Sequence, residues 1–390
     1  MVCYHIKNYN AQQKKIENQK NYKKKIAGTI TFITFCALSE AKGIDINMKQ
    51  EEQLSINKKK RSEILDIAKG LGIFFVVWSH AKGPFTQYMY QFHMPLFFLI
   101  SGYLFNEKNR PAEFIIKKIK SLYIPFVFWN IFFVFLEAVF HLKEFTKIEF
   151  GKKIILILLT LEKDGMFMGA TWFLGALFAV SVGYKIIDYY LGQVKNKSLF
   201  FAVLFGSVAL TGFSITFPYL LSRTMILSFF YAMGRLVREC KKSISCYDTE
   251  ITFLFSVAMF GLIGHYNRID MMRNQYKYPM LFLIGAFLAS YVVIFVSRTL
   301  ERRTVYLKKF FIFMGENSLS IVIWQFVVFR IITVLQLLVQ RVPLNTILDY
   351  YPPYKTEGVW WIVYIIIGII GSVIIEKFIS LIVNVITSKE

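Results

Sequence analysis

The chain has 390 residues, of which 55% are hydrophobic, 17% aromatic and 18% charged. A soluble domain carries about 45–50% apolar and about 25% charged residues. Several apolar runs here reach about 20 residues, the length that crosses a hydrocarbon core about 30 Å thick. The runs are continuous rather than alternating, which argues for an α-helical membrane protein and against a β-barrel.

The formal net charge is +21. It reads first as Lys and Arg gathered in cytoplasmic loops, and second as attraction for an anionic cofactor or lipid headgroups. No nucleic-acid recognition module is visible. Cys3, Cys36, Cys240 and Cys246 show neither zinc-ligand spacing nor a paired framework, so they read as free thiols, with no metal and no disulfide expected.

Residues 1–57 form a polar, Lys-rich N-terminal segment with one apolar patch, Ile26 to Leu38. The patch is too short to span. It resembles a signal-peptide core, but it starts deep in the chain and lacks a clean cleavage site. The stretch from Met48, MKQEEQLSINKKKRSEILDIAKG, has the character of an ordinary cytoplasmic start before a first span. Translation is therefore expected to begin at Met48, with 1–47 an upstream over-annotation.

The remainder, 58–385, is read as one all-α, polytopic membrane domain of about ten spans with no soluble domain. The expected spans are Ile64–Ala81, Met89–Phe105, Leu122–Phe140, Met168–Leu191, Ser198–Phe217, Tyr219–Val237, Ile251–Tyr266, Pro279–Ser297, Ser318–Val339 and Gly358–Val383. Pro95 falls in the first turn of the second span, where proline is tolerated. The apolar piece Ile154 to Leu161 is too brief to span and reads as interfacial or re-entrant. An even number of spans puts both termini on one side. With that side cytoplasmic, the inner segments hold about 22 Lys and Arg against about 12 outside. Both termini are therefore expected inside, in the plasma membrane.

The stretch from Arg61 to Phe105 carries the chemistry. Asp66 and Lys69 lie within an apolar run, where ionisable groups are expensive and mark functional sites by default. Residues eleven apart on a helix return to within about 20° of one face, so Asp66, Lys69 and His80 form one polar stripe. Lys69 and His80 are about 16 Å apart along the axis. His93 opens the second span, and the hairpin over 81–92 brings it to the membrane face of His80. The bland alternatives are a neutralising i,i+3 pair at Asp66 and Lys69 and an interfacial anchor at His93.

RSEILDIAKGLGIFFVVWSHA and QFHMPLFFLISGYLF resemble the opening signature of the acyltransferase-3 family of integral-membrane acyltransferases, closest to its fucose 4-O-acetylase-like branch. The basic-residue–ten–His spacing of Lys69 and His80 matches that family's motif. The similarity continues through KKIKSLYIPF, TWFLGALF and MGENSLSIVIWQF, over about residues 58–383. One departure is Gln325, where relatives often carry histidine.

The resemblance implies transfer of an acetyl group from acetyl-coenzyme A to a hydroxyl of a cell-surface glycan or its lipid-linked precursor. His80 is then the expected base, since histidine titrates near about 6.5. His93 is a second base or a donor to the oxyanion, and Lys69 and Asp66 support the cytoplasmic half. Arg110, Lys117, Lys118 and Lys120 are the nearest cations for the donor's phosphates. The loop with Arg298, Arg302, Arg303, Lys308 and Lys309 is the second candidate.

The candidate substrate-binding residues are Trp172, Arg223, Glu316, Asn317 and Gln325. Trp172 reads first as an interfacial aromatic and second as a site residue. Arg223 either meets an anionic glycan or snorkels. Glu316, Asn317 and Ser318 read first as a helix N-cap. Glu137, inside the third span, is a weaker candidate. Membrane lipids are the other expected partner. A transporter or flippase, or a non-catalytic partner of a glycan-assembly complex, are the alternative functions.

Overall fold

The computed structural model describes residues 63–140, 146–161, 169–191, 194, 196–240, 248–343 and 352–387. The N-terminal segment, its expected start at Met48, and Cys3, Cys36 and Cys246 lie outside the described residues. Of the described residues, those up to Val373 belong to one compact unit.

The described residues are helical almost throughout. In chain order they form α1 Glu63–His80, α2 Thr86–Tyr90, α3 His93–Tyr103, α4 Pro111–Lys118 and α5 Ile124–Phe140, then α6 Lys147–Thr160 and α7 Trp172–Tyr190. There follow α8 Lys197–Ser214, α9 Leu221–Glu239, α10 Glu250–Tyr266, α11 Pro279–Arg303, α12 Val305–Glu316, α13 Ser318–Val339 and α14 Trp360–Thr387. A two-residue antiparallel ladder, Ile269–Asp270 with Gln275–Tyr276, closes the turn between α10 and α11.

Nine of the ten expected spans each fall on one long helix, and the second is divided between α2 and α3. Six helices among the described residues are long and apolar enough to cross a membrane. The other four depart from that rule for separate reasons. α1 carries Glu63, Asp66 and Lys69, α9 is polar along one face, α10 has only 17 residues, and α3 is only 11 residues long.

The second span is therefore corrected. Its apolar run is continuous in sequence, but Pro95 has no N–H to give the carbonyl of Gln91. The run breaks there into α2 and α3, and α3 covers only about 16 Å. A related effect lies before α5. Pro125 removes a helical donor, and the chain winds a wider π turn at Ile119–Tyr123 just ahead of it. The apolar piece around Ile154 belongs to α6, whose start is a capping box between Thr146 and Glu149. The hydrogen bonds from Thr146 hold the Glu149 carboxyl below the usual range.

Two pairs of glycines set the packing around α1 and α3. A Cβ on Gly70 of α1 would lie 1.9 Å from the Phe311 carbonyl oxygen of α12, and one on Gly315 would lie 2.2 Å from that of Asp66. Gly102 of α3 meets the Tyr231 carbonyl at 1.9 Å, and Gly234 of α9 meets that of Leu99 at 2.0 Å, by the same measure. Backbones touch where side chains would stand between them. Membrane helices associate in this way, because lipid gives no hydrophobic drive to pair them.

Candidate active site

The stripe on α1 forms as its spacing implies. Lys69 Nζ donates to Asp66 Oδ1 at 3.2 Å, and Asp66 is buried. Burial of an unpaired carboxylate would be prohibitive, so the lysine makes the position tenable. α12 seats against this pair through Gly315. That brings the Gly315–Glu316–Asn317 segment beside Asp66. Lys308 of α12 also pairs with Glu63 at the start of α1. The Glu63 carboxylate beside Lys308 holds its ammonium above the usual range.

Asn317 occupies the N-cap position of α13 but does not cap it. Its Nδ2 donates backwards to the Phe313 carbonyl at 2.8 Å, closing α12 instead. The cap expected from Glu316, Asn317 and Ser318 is thus corrected: Ser318 is the first residue of α13, and the N-cap residue Asn317 makes no side-chain cap hydrogen bond.

At the far end of α1 the two histidines do not touch. They flank one ring: Tyr90 lies 6.4 Å from His80 and 5.6 Å from His93, centroid to centroid. The Tyr90 hydroxyl donates to the Ser79 carbonyl at 3.3 Å, which pins α2 against the end of α1. The hairpin itself is held by Trp78 Nε1 donating to the Pro84 carbonyl at 2.9 Å. His93 is buried, with Nδ1 2.5 Å from the Met89 carbonyl. A carbonyl only accepts, so Nδ1 carries the proton and Nε2 is left as an acceptor. His80 is half-buried, and Phe326 of α13 lies against its ring at 4.9 Å.

Other helices close around these groups. Trp324 packs on Trp129 of α5 at 4.6 Å. Asn130 accepts from the Thr171 hydroxyl at 3.1 Å, which fixes the start of α7. Phe173 then meets Phe97 of α3 at 5.3 Å. Arg223 stands over the Trp172 ring at 5.3 Å, and both are buried. Trp172 is therefore not an interfacial anchor, and Arg223 does not snorkel. Glu137 pairs with Lys153 of α6 at 3.5 Å.

The basic cluster divides. Arg110, Lys117 and Lys120 are exposed, whereas Lys118 is half-buried, 5.4 Å from the Phe114 ring. In the second basic loop, Arg298 pairs with Asp248 and Lys308 with Glu63. Arg302, Arg303 and Lys309 are exposed.

Sequence reasoning missed a buried ionic network behind α3. Arg235 of α9 is 1% exposed and holds Asp188 of α7 at 2.7 Å and Glu107 at 2.8 Å. Lys197 reaches Asp188 at 2.7 Å, and Lys185 donates to the Glu107 carbonyl at 2.9 Å. Arg238 donates to the Phe105 carbonyl at 2.5 Å. Asp188 and Arg235 inside apolar runs were the available signal. The network clamps the end of α3 to α7, α8 and α9.

The family model described as an acyltransferase domain matches residues 63–377, from the first residue of α1 into α14. No curated protein and no solved structure matches the chain. A match over most of the chain, carried by helices that hold Asp66, Lys69 and His80 on one face, places this protein in the acyltransferase-3 family of membrane acyltransferases.

Proposed function

We propose that the protein is an O-acetyltransferase that moves an acetyl group from acetyl-coenzyme A to a hydroxyl of a cell-surface or lipid-linked glycan. The observation that carries this reading is the α1 stripe, with a buried Lys69–Asp66 pair at one end and His80 against Tyr90 and Phe326 at the other. The reading places both termini in the cytoplasm and the domain in the plasma membrane. The Lys69 end then faces the donor, and the His80 end faces the acceptor.

His80 takes the proton of the acceptor hydroxyl as its oxygen attacks the thioester carbon. The new carbon–oxygen bond forms, the carbon–sulfur bond breaks, and His80 returns the proton to the departing thiolate. Protons and electrons balance without a further reactant. His93 holds its ring fixed through Met89, which leaves Nε2 as a hydrogen-bond acceptor. That suits orientation of a hydroxyl better than donation to an oxyanion. Lys69 supplies positive charge on the donor side, held in place by Asp66. Exposed Arg110, Lys117 and Lys120 fit the donor's phosphates, whereas Lys118, drawn towards Phe114, fits less well. Trp172 with Arg223 offers a rigid aromatic and cationic wall on the acceptor side.

The test is mass analysis of surface glycans from cells with and without this protein. The reading expects loss of a 42-unit acetyl increment, about the mass of one acetyl for hydrogen, and a transfer that needs a single base at His80. Glycans of unchanged mass would remove it.

A further inference from the structure

Two glutamines lie on one face of α13, eleven residues apart, and both are completely buried. Gln336 is fully engaged. Its Nε2 donates to the Lys355 carbonyl at 2.9 Å, and its Oε1 accepts from the Tyr364 hydroxyl at 2.8 Å and the Lys355 amide at 3.4 Å. Among the described residues, Gln325 finds no hydrogen-bond partner at either Oε1 or Nε2. A buried amide left unsatisfied bears the full desolvation penalty of its polar atoms, so the position favours a ligand that meets them.

The surroundings place Gln325 inside the bundle beside the proposed base. Trp324, before it, packs on Trp129 and Phe133 of α5. Phe326, after it, packs on His80 of α1. One turn further on, Phe329 and Val328 meet Gly368 and Gly371 of α14. Gln325 thus sits where four helices converge, one residue from the ring that backs His80.

We infer that Gln325 is a positioning residue for the acceptor: its amide takes two neighbouring hydroxyls of the sugar, one through Oε1 and one through Nε2. The inference rests on the acetyltransferase reading above. A primary amide presents a donor beside an acceptor, and both are unmet. An oxyanion would satisfy only Nε2, and a cation only Oε1. A vicinal hydroxyl pair satisfies both, because each hydroxyl donates and accepts. With the reacting hydroxyl at His80, the hydroxyl next to it falls to Gln325. The acceptor class is then a sugar whose acetylated hydroxyl has a free hydroxyl neighbour.

The experiment uses the full chain in membrane vesicles carrying their endogenous glycan, with radiolabelled acetyl-coenzyme A as the probe. Wild type, Gln325→Met and Gln325→His are compared for label transferred to glycan, for the KM of acetyl-coenzyme A and for acetyl-coenzyme A hydrolysis. Thermal unfolding is measured on each purified chain without substrates. Gln325→Met is expected to lower transfer about ten- to hundredfold, two neutral hydrogen bonds being lost. Its hydrolysis and donor KM stay at wild-type values, and its melting temperature is equal or higher, because an unsatisfied amide has gone. Gln325→His keeps one donor and one acceptor and recovers part of the transfer. A lower melting temperature for Gln325→Met with unchanged transfer overturns the inference in favour of a packing role. Transfer, hydrolysis and donor KM all impaired together overturn it in favour of the donor's amide-bearing arm. Absence of both transfer and hydrolysis in wild type would instead remove the acetyltransferase reading itself.

Discussion

Replacing Gly70 with alanine probes how the α1 stripe is held. The new methyl would lie 1.9 Å from the Phe311 carbonyl oxygen, and real Cβ contacts do not close below 3.0 Å. α12 must therefore withdraw by about 1.1 Å, a backbone shift that no rotamer change absorbs. Overpacking of this kind costs about 1–3 kcal/mol. The same movement pulls Gly315 from its seat on the Asp66 carbonyl, and a misplacement of about 1 Å near a reacting group costs about a hundredfold in rate. The expectation is a lower melting temperature in detergent together with about a hundredfold loss of acetyl transfer in vesicles. Gly261→Ala is the control, since a methyl there meets nothing within 4 Å. If the two variants behave alike in both assays, the close α1–α12 contact does not govern the site.

Three further outcomes follow from the same geometry. Lys69→Met should abolish transfer and lower the melting temperature, because it removes the ammonium that pairs with buried Asp66. Adding Asp66→Asn should recover much of the melting temperature but none of the transfer, which a double-mutant cycle by thermal unfolding and labelled transfer would measure. Tyr90→Phe keeps the ring between His80 and His93 and removes one 3.3 Å hydrogen bond. Transfer should fall less than about tenfold, whereas Tyr90→Ala should fall much further; equal effects would exclude the ring as the element that spaces the histidines. Arg235→Met should destabilise the protein by about 1.5–3 kcal/mol in thermal unfolding, since Asp188 loses the guanidinium but keeps Lys197, with the KM of acetyl-coenzyme A unchanged in the folded fraction.

What the sequence disclosed was what helical period controls. Asp66, Lys69 and His80 share a face because each residue turns about 100°, and the ion pair formed where that arithmetic put it. The span from Ser318 to Val339 matched to the residue, since its apolar run is bounded by polar residues at both ends. The second span was misjudged because hydropathy does not register the donor that Pro95 lacks. Tyr90 between the histidines was not legible, because its position depends on the hairpin folding back on Ser79. Nor was the Trp172–Arg223 pair, whose members are 51 residues apart and meet only through the packing of α7 on α9. Gln325 stood out in sequence as a departure from relatives. Its isolation from any partner became visible only against Gln336, its bonded counterpart on the same face.

The most direct test of the central claim is labelled acetyl transfer by His80→Ala in membrane vesicles, at matched protein level. The account predicts that incorporation into glycan falls to background while the folded protein persists. Incorporation at the wild-type rate would contradict it and pass the role of base to His93, whose Nε2 is the other acceptor described at that end of α1.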